Sequence, residues 1–570
     1  MAYYVGVDVG TGSARAGVFS QEGRMVGTSS KEIAIWKEGD FAEQSSANIW
    51  DSVCSAVKSA VREAGVDAAS VKGLGFDATC SLVAVGELDA PVSVSRSGDD
   101  ARDIIVWLDH RAVDQAQRIN KKFDGQEALR YVGGHISPEN EPPKLMWVKE
   151  KLPESWARAK GWFDLADWLS YKSTGDDTRS LCTIVCKWTY RGHAHVGASE
   201  REGPMPAAGW DKDFWRGIGL GDVVEEDFKR FGARVAFPGY PLGGGLTKQA
   251  AEDLGLPEGT PVGAGLIDAH AGGVGTMAGV PADVSSSDDV SAASVFARRL
   301  ALVCGTSSCH MAVSDGSLFV PGVWGPFWSG MIPGLWLTEG GQSATGALLD
   351  HIFEGHSAYQ ALSERAKEAG CKVTELLNRR LEEMAAKEGA PFLAALTRDL
   401  HVLPDWHGNR APQADPSSRG VICGLTLESG EDALARLYLA AVQGIAYGTR
   451  QIIEKMNASA HKVDTIIACG GLAKNSLFLK QHADITECPV ILPRESEPVL
   501  LGAAIVGAVA ARQFESIADA MQAMNSHGKI VLPVKAEIEK TYHAFKFSIF
   551  EDLYVSQVKY RKTMDSVLPT

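Results

Sequence analysis

The 570-residue chain carries 56 basic against 71 acidic residues, a formal net charge of −15, and is 45% hydrophobic and 22% charged. That length exceeds one compact core, so two or more domains are expected, with the composition of a folded globular protein rather than a disordered one. The acidic excess argues against a broad contact with nucleic acid or an anionic membrane, and points to a small-molecule partner.

The chain opens with VGVDVGTGSARAGVF, in which Tyr3 to Val9 and Ala14 to Phe19 set apolar residues at alternating positions. Gly10-Thr11-Gly12 between them predicts a β-hairpin with a bare tip, whose backbone N–H groups can approach an anion closely, with Asp8 facing the same spot. Taken alone, an ordinary turn explains the stretch as well. MVGTSSKEIAI supplies a third strand, and SSANIWDSVCSAVKSAVREAG places Ile49, Val53, Val57, Ala60, Val61 and Ala64 on one helical stripe, with serines to cap it and Gly65 to stop it. VKGLGFDATCSLVAV returns to strand character, which suggests an α/β layer architecture.

Further on, the strand TPVGAGLI runs into Asp268, and small residues then let a helix start close to whatever the carboxylate faces. An Asp in that position reads as a helix cap or, beside nucleotide phosphates, as the acceptor of a substrate hydroxyl's proton. ADVSSSDDVSAAS, 282–294, reads as a polar insertion or linker. RLALVCGTSSCHMAV then repeats the opening device, with Gly305-Thr306-Ser307-Ser308 between two apolar runs, so the chain reads as two related halves. Helical patterns follow at 343–355, 357–370, 373–388 and 431–456, then the strand TIIACGG, a helix from Lys474, the strand PVILP and a buried helix at 499–511. A third glycine cluster, CGGLAKN at 469–475, offers a purine a flat backbone and a phosphate a helix N-terminus. Neither a Walker A loop nor a G-x-G-x-x-G fingerprint occurs.

WLDHRA, after the strand DIIVW, crowds Trp107, Asp109, His110 and Arg111 together. That density suits a polyhydroxylated ligand, each of whose hydroxyls wants a donor and an acceptor, although a solvated charge cluster reads the same way. His310 and His407 are expected to be structural, and the GNRAP turn with Asp415 and Arg419 to brace domains at the border of a cleft. The ten cysteines form no C-x-x-C pair and read as reduced thiols; Cys182/Cys186 and Cys304/Cys309 lack a second pair beside them, so no zinc is expected. The first twenty residues do not form a signal peptide, and the apolar run at 499–511 is too short to span a bilayer, so a cytoplasmic location is the simplest expectation.

Six blocks, DVGTGSAR, GTPVGAGLIDAHAGGVG, GTSSCHM, EGGQSATG, LPDWHGNRAPQADPSSRGVICGL and CGGLAKN, stand in the order and approximate spacing of the FGGY carbohydrate kinases. The chain resembles that family from about residue 3 to 545, and most closely its ribulokinase branch. The resemblance implies an α/β protein of the actin-like (ribonuclease H-like) ATPase fold: two domains, each round a mixed five-stranded sheet flanked by helices, with ATP and sugar meeting in the cleft between them. It implies an N-terminal domain at 1–280, the polar insertion at 281–296, a C-terminal domain at 297–545 and a tail at 546–570.

Carried over by position, Asp8, Gly10, Thr11, Gly12, Ser13 and Arg15 match the first phosphate motif, with Asp8 holding Mg²⁺ through water. Gly305, Thr306 and Ser307 match the second phosphate motif, Gly470, Gly471 and Asn475 the adenosine motif, and Asp268 the catalytic base. Asp77, Trp107, Asp109, His110, Arg111, Lys187 and Glu339 are the expected sugar contacts, Lys187 having a surface strand lysine as its alternative. The implied reaction is ATP- and Mg²⁺-dependent phosphorylation of the C5 hydroxyl of a ketopentose, D-ribulose foremost. L-Ribulose, D-xylulose or ribitol remain open as substrates, as do an actin-like ATPase without sugar chemistry and a homodimer.

Overall fold

The computed structural model describes residues 1–201, 203–278, 292–525 and 528–568. The opening hairpin forms as expected: β1 (Tyr3–Val9) and β2 (Ser13–Ser20) pair antiparallel with Val9 opposite Ala14, and the Gly10 N–H closes the tip on the Ser13 carbonyl at 3.0 Å. β3 (Met25–Glu32) adds antiparallel to β2. The chain then crosses over through α1 (Ser46–Ala64), capped by the Ser45 side chain and ended by Gly65 in the left-handed region. β4 (Val71–Ala78) returns parallel to β1. After α2 (Leu181–Lys187), β5 (Leu266–Ile267) lies parallel to β4 and runs straight into α3 (Asp268–Val274). The first sheet therefore has the order β5-β4-β1-β2-β3.

The second unit repeats this pattern. β6 (Arg299–Cys304) and β7 (Ser308–Ser314) form the second hairpin, and β8 (Trp324–Trp328) and β9 (Trp336–Gln342) follow. The long helix α4 (Glu431–Ala458) leads to β10 (Thr465–Cys469), then to α5 (Ser476–Thr486), β11 (Val490–Ile491), α6 (Pro498–Ala510), β12 (Ile530–Val531) and α7 (Glu537–Asp565). Within the second sheet, β9-β7-β6-β10-β11 reproduces β3-β2-β1-β4-β5 strand for strand, with antiparallel and parallel pairings in the same places. The sheet holds seven strands rather than the expected five, because β8 pairs with the outer edge of β9 and β12 with that of β11.

The apolar run at 499–511 forms α6 and joins the units, since it lies against strands of the first sheet although it belongs to the second half of the chain. The approach is backbone to backbone. A Cβ on Gly75 of β4 would stand 1.9 Å from the Ala503 carbonyl oxygen, and one on Gly502 of α6 would stand 2.0 Å from the Ala271 oxygen of α3. α6 is thus wedged between the first sheet and the helix that starts at Asp268.

Several expectations change. TPVGAGLI is regular strand only at β5, the DIIVW strand only at Ile104–Ile105, and the segment holding Lys187 is a helix. The first unit also carries a second five-stranded sheet of short strands, Trp36–Glu38, Phe41–Gln44, Ile104–Ile105, Leu82–Val85 and Gly161–Asp164, which the residue pattern did not announce. Residue 546 is no boundary: α7 runs through it and buries Phe547 and Phe550 against Tyr447 and Leu403. Of the 282–294 stretch, 282–291 lies outside the described residues, and Ala292–Phe296 is helical. No helix among the described residues is long and apolar enough to cross a membrane.

Candidate active site

The two hairpin tips face one cavity of about 260 Å³, to which the first contributes Asp8, Gly10 and Thr11 and the second Gly305, Thr306 and Ser307. The Gly10 and Gly305 N–H groups are spent closing their own turns, on Ser13 and Ser307 carbonyls at 3.0 and 2.8 Å. The N–H groups of Thr11, Gly12, Thr306 and Ser307 donate to nothing among the described residues. Three of these free donors, on Thr11, Thr306 and Ser307, line the cavity and make an anion cradle.

Asp268 lies at the start of α3 and lines this cavity; its Oδ1 accepts the Ala269 N–H at 2.7 Å. Small residues in the next turn let α3 pack directly against β6 and α6, which holds the carboxyl at the mouth between the two units. Burial, and then the negative charge of Asp8, push its pKa up to about 6. Asp8 is itself paired with Arg15, whose Nε donates to Asp8 Oδ2 at 2.8 Å and whose Nη1 donates to Glu497 Oε2 at 2.7 Å. Arg15 lines the cavity, but both neighbouring carboxylates hold its guanidinium, so it orders the tip more than it offers itself to an anion.

Asp77 stands beside Asp8 across the β1–β4 pair, fully buried, and neither of its carboxyl oxygens has a hydrogen-bond partner. Burial first, then the charges of Asp8 and Asp268, hold its pKa well above the usual carboxylate range. It does not line the cavity but sits behind Asp8. Three acidic side chains that repel one another, one of them with unpartnered oxygens, suit a hard divalent cation at the phosphate end.

At the other end, Lys187 closes α2 and is buried, not a surface strand lysine. Its ammonium lies 4.8 Å from the Trp324 ring centroid, and the guanidinium of Arg410 lies 4.7 Å from the same centroid. Arg410 Nη2 reaches Glu339 Oε1 at 3.3 Å, and the opposite oxygen of Glu339 is 3.0 Å from His270 Nε2. Burial alone would raise the Glu339 pKa, but the His270 hydrogen bond and the charges of His270, Arg410 and Lys187 bring it down to about 2. The cavity thus presents two ionised acceptors, Asp268 and Glu339, and two cationic donors, which is the pairing a polyhydroxylated ligand requires. Trp107 also lines it, and its indole N–H donates to Thr11 Oγ1 at 3.0 Å, tying the sugar end to the first tip.

The rest of WLDHRA does not reach the cavity. Asp109 and Arg111 form a fully buried ion pair at 2.7 Å. Arg111 also donates to Glu43 at 3.0 Å and lies 4.7 Å from the Phe41 ring centroid, while Asp109 accepts the Ala42 N–H at 2.7 Å. These residues pin the small sheet, and most of their hydrogen-bonding capacity is directed to partners inside the protein. His110 turns instead toward Glu139 at 3.6 Å and the ring of His407. Gly12 and Ser13 shape the first tip without lining the cavity. Nor does the cavity extend to Gly470, Gly471 or Asn475, which lie on the connection from β10 to α5, beside the second hairpin. Asn475 is the N-cap of α5, and its Nδ2 donates to the Tyr438 hydroxyl at 2.6 Å.

Arg410 and His270 escaped the residue-level reading as ligand contacts, and Cys186 was weighed there only as half of a metal pair with Cys182 and set aside. Arg410 belongs to the GNRAP turn expected to brace domains at the border of a cleft, and His270 stands two residues past Asp268, so proximity to recognised motifs was the available signal. The bracing itself is real for Asp415, which pairs with Arg561 of α7 at 2.6 Å. His310 is buried and bonded to Thr449, a structural histidine.

A duplicated strand order, with a cavity between two glycine-tipped hairpins, defines the actin-like ATPase fold. Residues 3–188 match the N-terminal domain of the FGGY family of carbohydrate kinases, and residues 300–511 match its C-terminal domain. The chain belongs to that family and is a sugar-phosphorylating enzyme. It is 49% identical over 557 residues to the FGGY carbohydrate kinase domain-containing protein of Danio rerio, covering 97% of this chain and 98% of that one. It is 40% identical over 530 residues to a D-ribulokinase of Saccharomyces cerevisiae, covering 90% of this chain and 72% of the relative. Among solved structures, a xylulose kinase from Rhodospirillum rubrum superposes with a TM-score of 0.74 at 19% identity, over 98% of this chain and 99% of that one.

Proposed function

We propose that the protein transfers the γ-phosphoryl group of ATP to the C5 hydroxyl of a ketopentose, D-ribulose before others, with Asp268 as general base. One observation carries the reading: Asp268 lines the single cavity that both hairpin tips and the Lys187–Glu339–Arg410 cluster share. The sugar lies against Lys187, Arg410 and Glu339, with its terminal hydroxyl at Asp268. The free N–H groups of Thr11, Thr306 and Ser307 receive the phosphate oxygens, and Asp268 takes the hydroxyl proton as the new P–O bond to the sugar forms and the bond to ADP breaks. Gly470, Gly471 and Asn475 supply the adenosine end from the neighbouring connection. Asp8 would hold Mg²⁺ through water, and the ion when bound neutralises phosphate charge. The resemblance to a yeast D-ribulokinase supports the choice of sugar.

The test is ADP release over C4 to C6 ketoses and polyols, with the phosphorylated carbon identified by NMR. Release that depends on D-ribulose and yields the 5-phosphate is the expected result. ATP turnover indifferent to every sugar, or a product phosphorylated elsewhere, would overturn the proposal.

A further inference from the structure

Behind the sugar end of the cavity, three elements bring one side chain each to a common point: Cys186 from α2, His270 from α3 and Glu339 from β9. One possible ligand atom from each, a thiol sulfur, a ring nitrogen and a carboxylate oxygen, lies within 4.8 Å of the other two. His270 Nε2 is 3.0 Å from Glu339 Oε2, and Cys186 Sγ is 3.5 Å from the same oxygen. A tetrahedral zinc ion with bonds of about 2.0–2.3 Å needs neighbouring ligand atoms roughly 3.3–3.7 Å apart. The triangle is already close to that size.

Outer partners hold it in place. Cys182 Sγ stands 3.0 Å from His270 Nδ1, leaving Nε2 as the nitrogen that faces the triangle, and Arg410 steadies the far oxygen of Glu339 at 3.3 Å. All three ligand residues are buried, yet Cys186 and Glu339 also line the cavity, so the fourth corner of a tetrahedron opens toward it. A set of one thiolate, one imidazole and one carboxylate with an open corner selects a borderline-soft cation and discriminates against Mg²⁺ and Ca²⁺.

We infer that Cys186, His270 and Glu339 form a binding site for Zn²⁺, entered from the sugar end of the cavity, and that the bound ion excludes the sugar. Binding needs the thiolate and the neutral imidazole, so the protons those groups carry leave for solvent as the two bonds form, and affinity falls as pH is lowered. The cations of Lys187 and Arg410 oppose a further positive charge, which makes the site weaker than a structural zinc site. The metal site stands on geometry alone, whereas the inhibition rests on the proposed contact of Glu339 with sugar.

Metal-free full-length protein titrated with Co²⁺ reads the site without any turnover. The expected result is one equivalent bound, with tetrahedral visible bands and a near-ultraviolet thiolate-to-cobalt charge-transfer band, all displaced by Zn²⁺. Cys186→Ser should remove the charge-transfer band and weaken Zn²⁺ binding about 100-fold. Cys182→Ser, which alters the contact to the outer nitrogen of His270 and the acceptor of the Ile267 N–H but no ligand atom, should keep the band and weaken binding about tenfold. Glu339→Gln should keep the band but require more metal, which guards against a Cys186 variant that merely misfolds. In initial-rate assays Zn²⁺ should raise the apparent KM for ketose and leave that for MgATP unchanged, reversibly on chelation. Absence of the band, or its survival in Cys186→Ser, refutes the metal site. A normal titration without competition against ketose sustains the metal site and refutes the contact of Glu339 with sugar.

Discussion

If Asp268 is the base, its environment dictates the acid limb of the reaction. Its proton leaves near pH 6 rather than at the ordinary 3.8, because burial and then the Asp8 charge disfavour the carboxylate. That displacement corresponds to about 3 kcal/mol. About nine-tenths of the enzyme is then in the active form at pH 7 and about one-tenth at pH 5, so kcat/KM for the sugar should fall about tenfold across that interval. The phosphates of ATP titrate in the same range, and a second perturbation separates the two. Asp8→Asn removes the repulsion that is the second cause of the displacement, so the midpoint should move to lower pH by at least ~0.3, while the titration of ATP stays where it was. The assay is coupled ADP release at saturating MgATP from pH 4.5 to 8, for wild type, Asp8→Asn and Asp268→Asn. A loss of ~10²–10⁴ in kcat is expected for Asp268→Asn. An unmoved midpoint in Asp8→Asn, or Asp268→Asn within threefold of wild type, would refute the reasoning.

Arg111→Met leaves the buried carboxylate of Asp109 without an ion-pair partner and Glu43 with Arg102 alone at 3.7 Å, so it should cost about 3–5 kcal/mol of stability in denaturant titration, with kcat/KM per folded molecule nearly unchanged. A large loss of sugar affinity in the folded variant would return Arg111 to the sugar site. Asp77 has a raised pKa in the folded state, so the fold binds its proton more tightly than the unfolded chain does, and stability is lost as pH rises above about 4. Asp77→Asn should therefore raise Tm at pH 8, with a gain that shrinks toward pH 4 in calorimetry. Lys187→Met should raise KM for the ketose about 10–100-fold, the worth of one charged hydrogen bond, and leave KM for MgATP within about threefold.

Local elements were legible because their causes are local. The apolar stripe from Ile49 to Ala64 sits between a serine cap and Gly65, and the helix spans Ser46–Ala64 as that pattern requires. The strand alternation around Gly10-Thr11-Gly12 and Gly305-Thr306-Ser307 led to two hairpins, and Asp268 was recognised from the motif that surrounds it. Of WLDHRA only Trp107 lines the cavity, and composition could not tell this, being the same whether its charges face a ligand or each other. The choice was made by Glu43, Phe41 and Trp147, which enclose Arg111 from other parts of the chain.

From residue order alone came the two glycine-tipped hairpins, the cap and stop of α1, and the carboxylate at the head of a helix, since each depends on neighbours within a few residues. Packing alone decided that Arg410 and Lys187 share one indole, that His270 and Cys186 meet Glu339, and that Asp109 and Arg111 satisfy each other. Those outcomes follow from which buried polar groups find partners hundreds of residues away, a condition set by the packing of α6 on the first sheet and of α3 against strands of both sheets, and invisible to any local pattern.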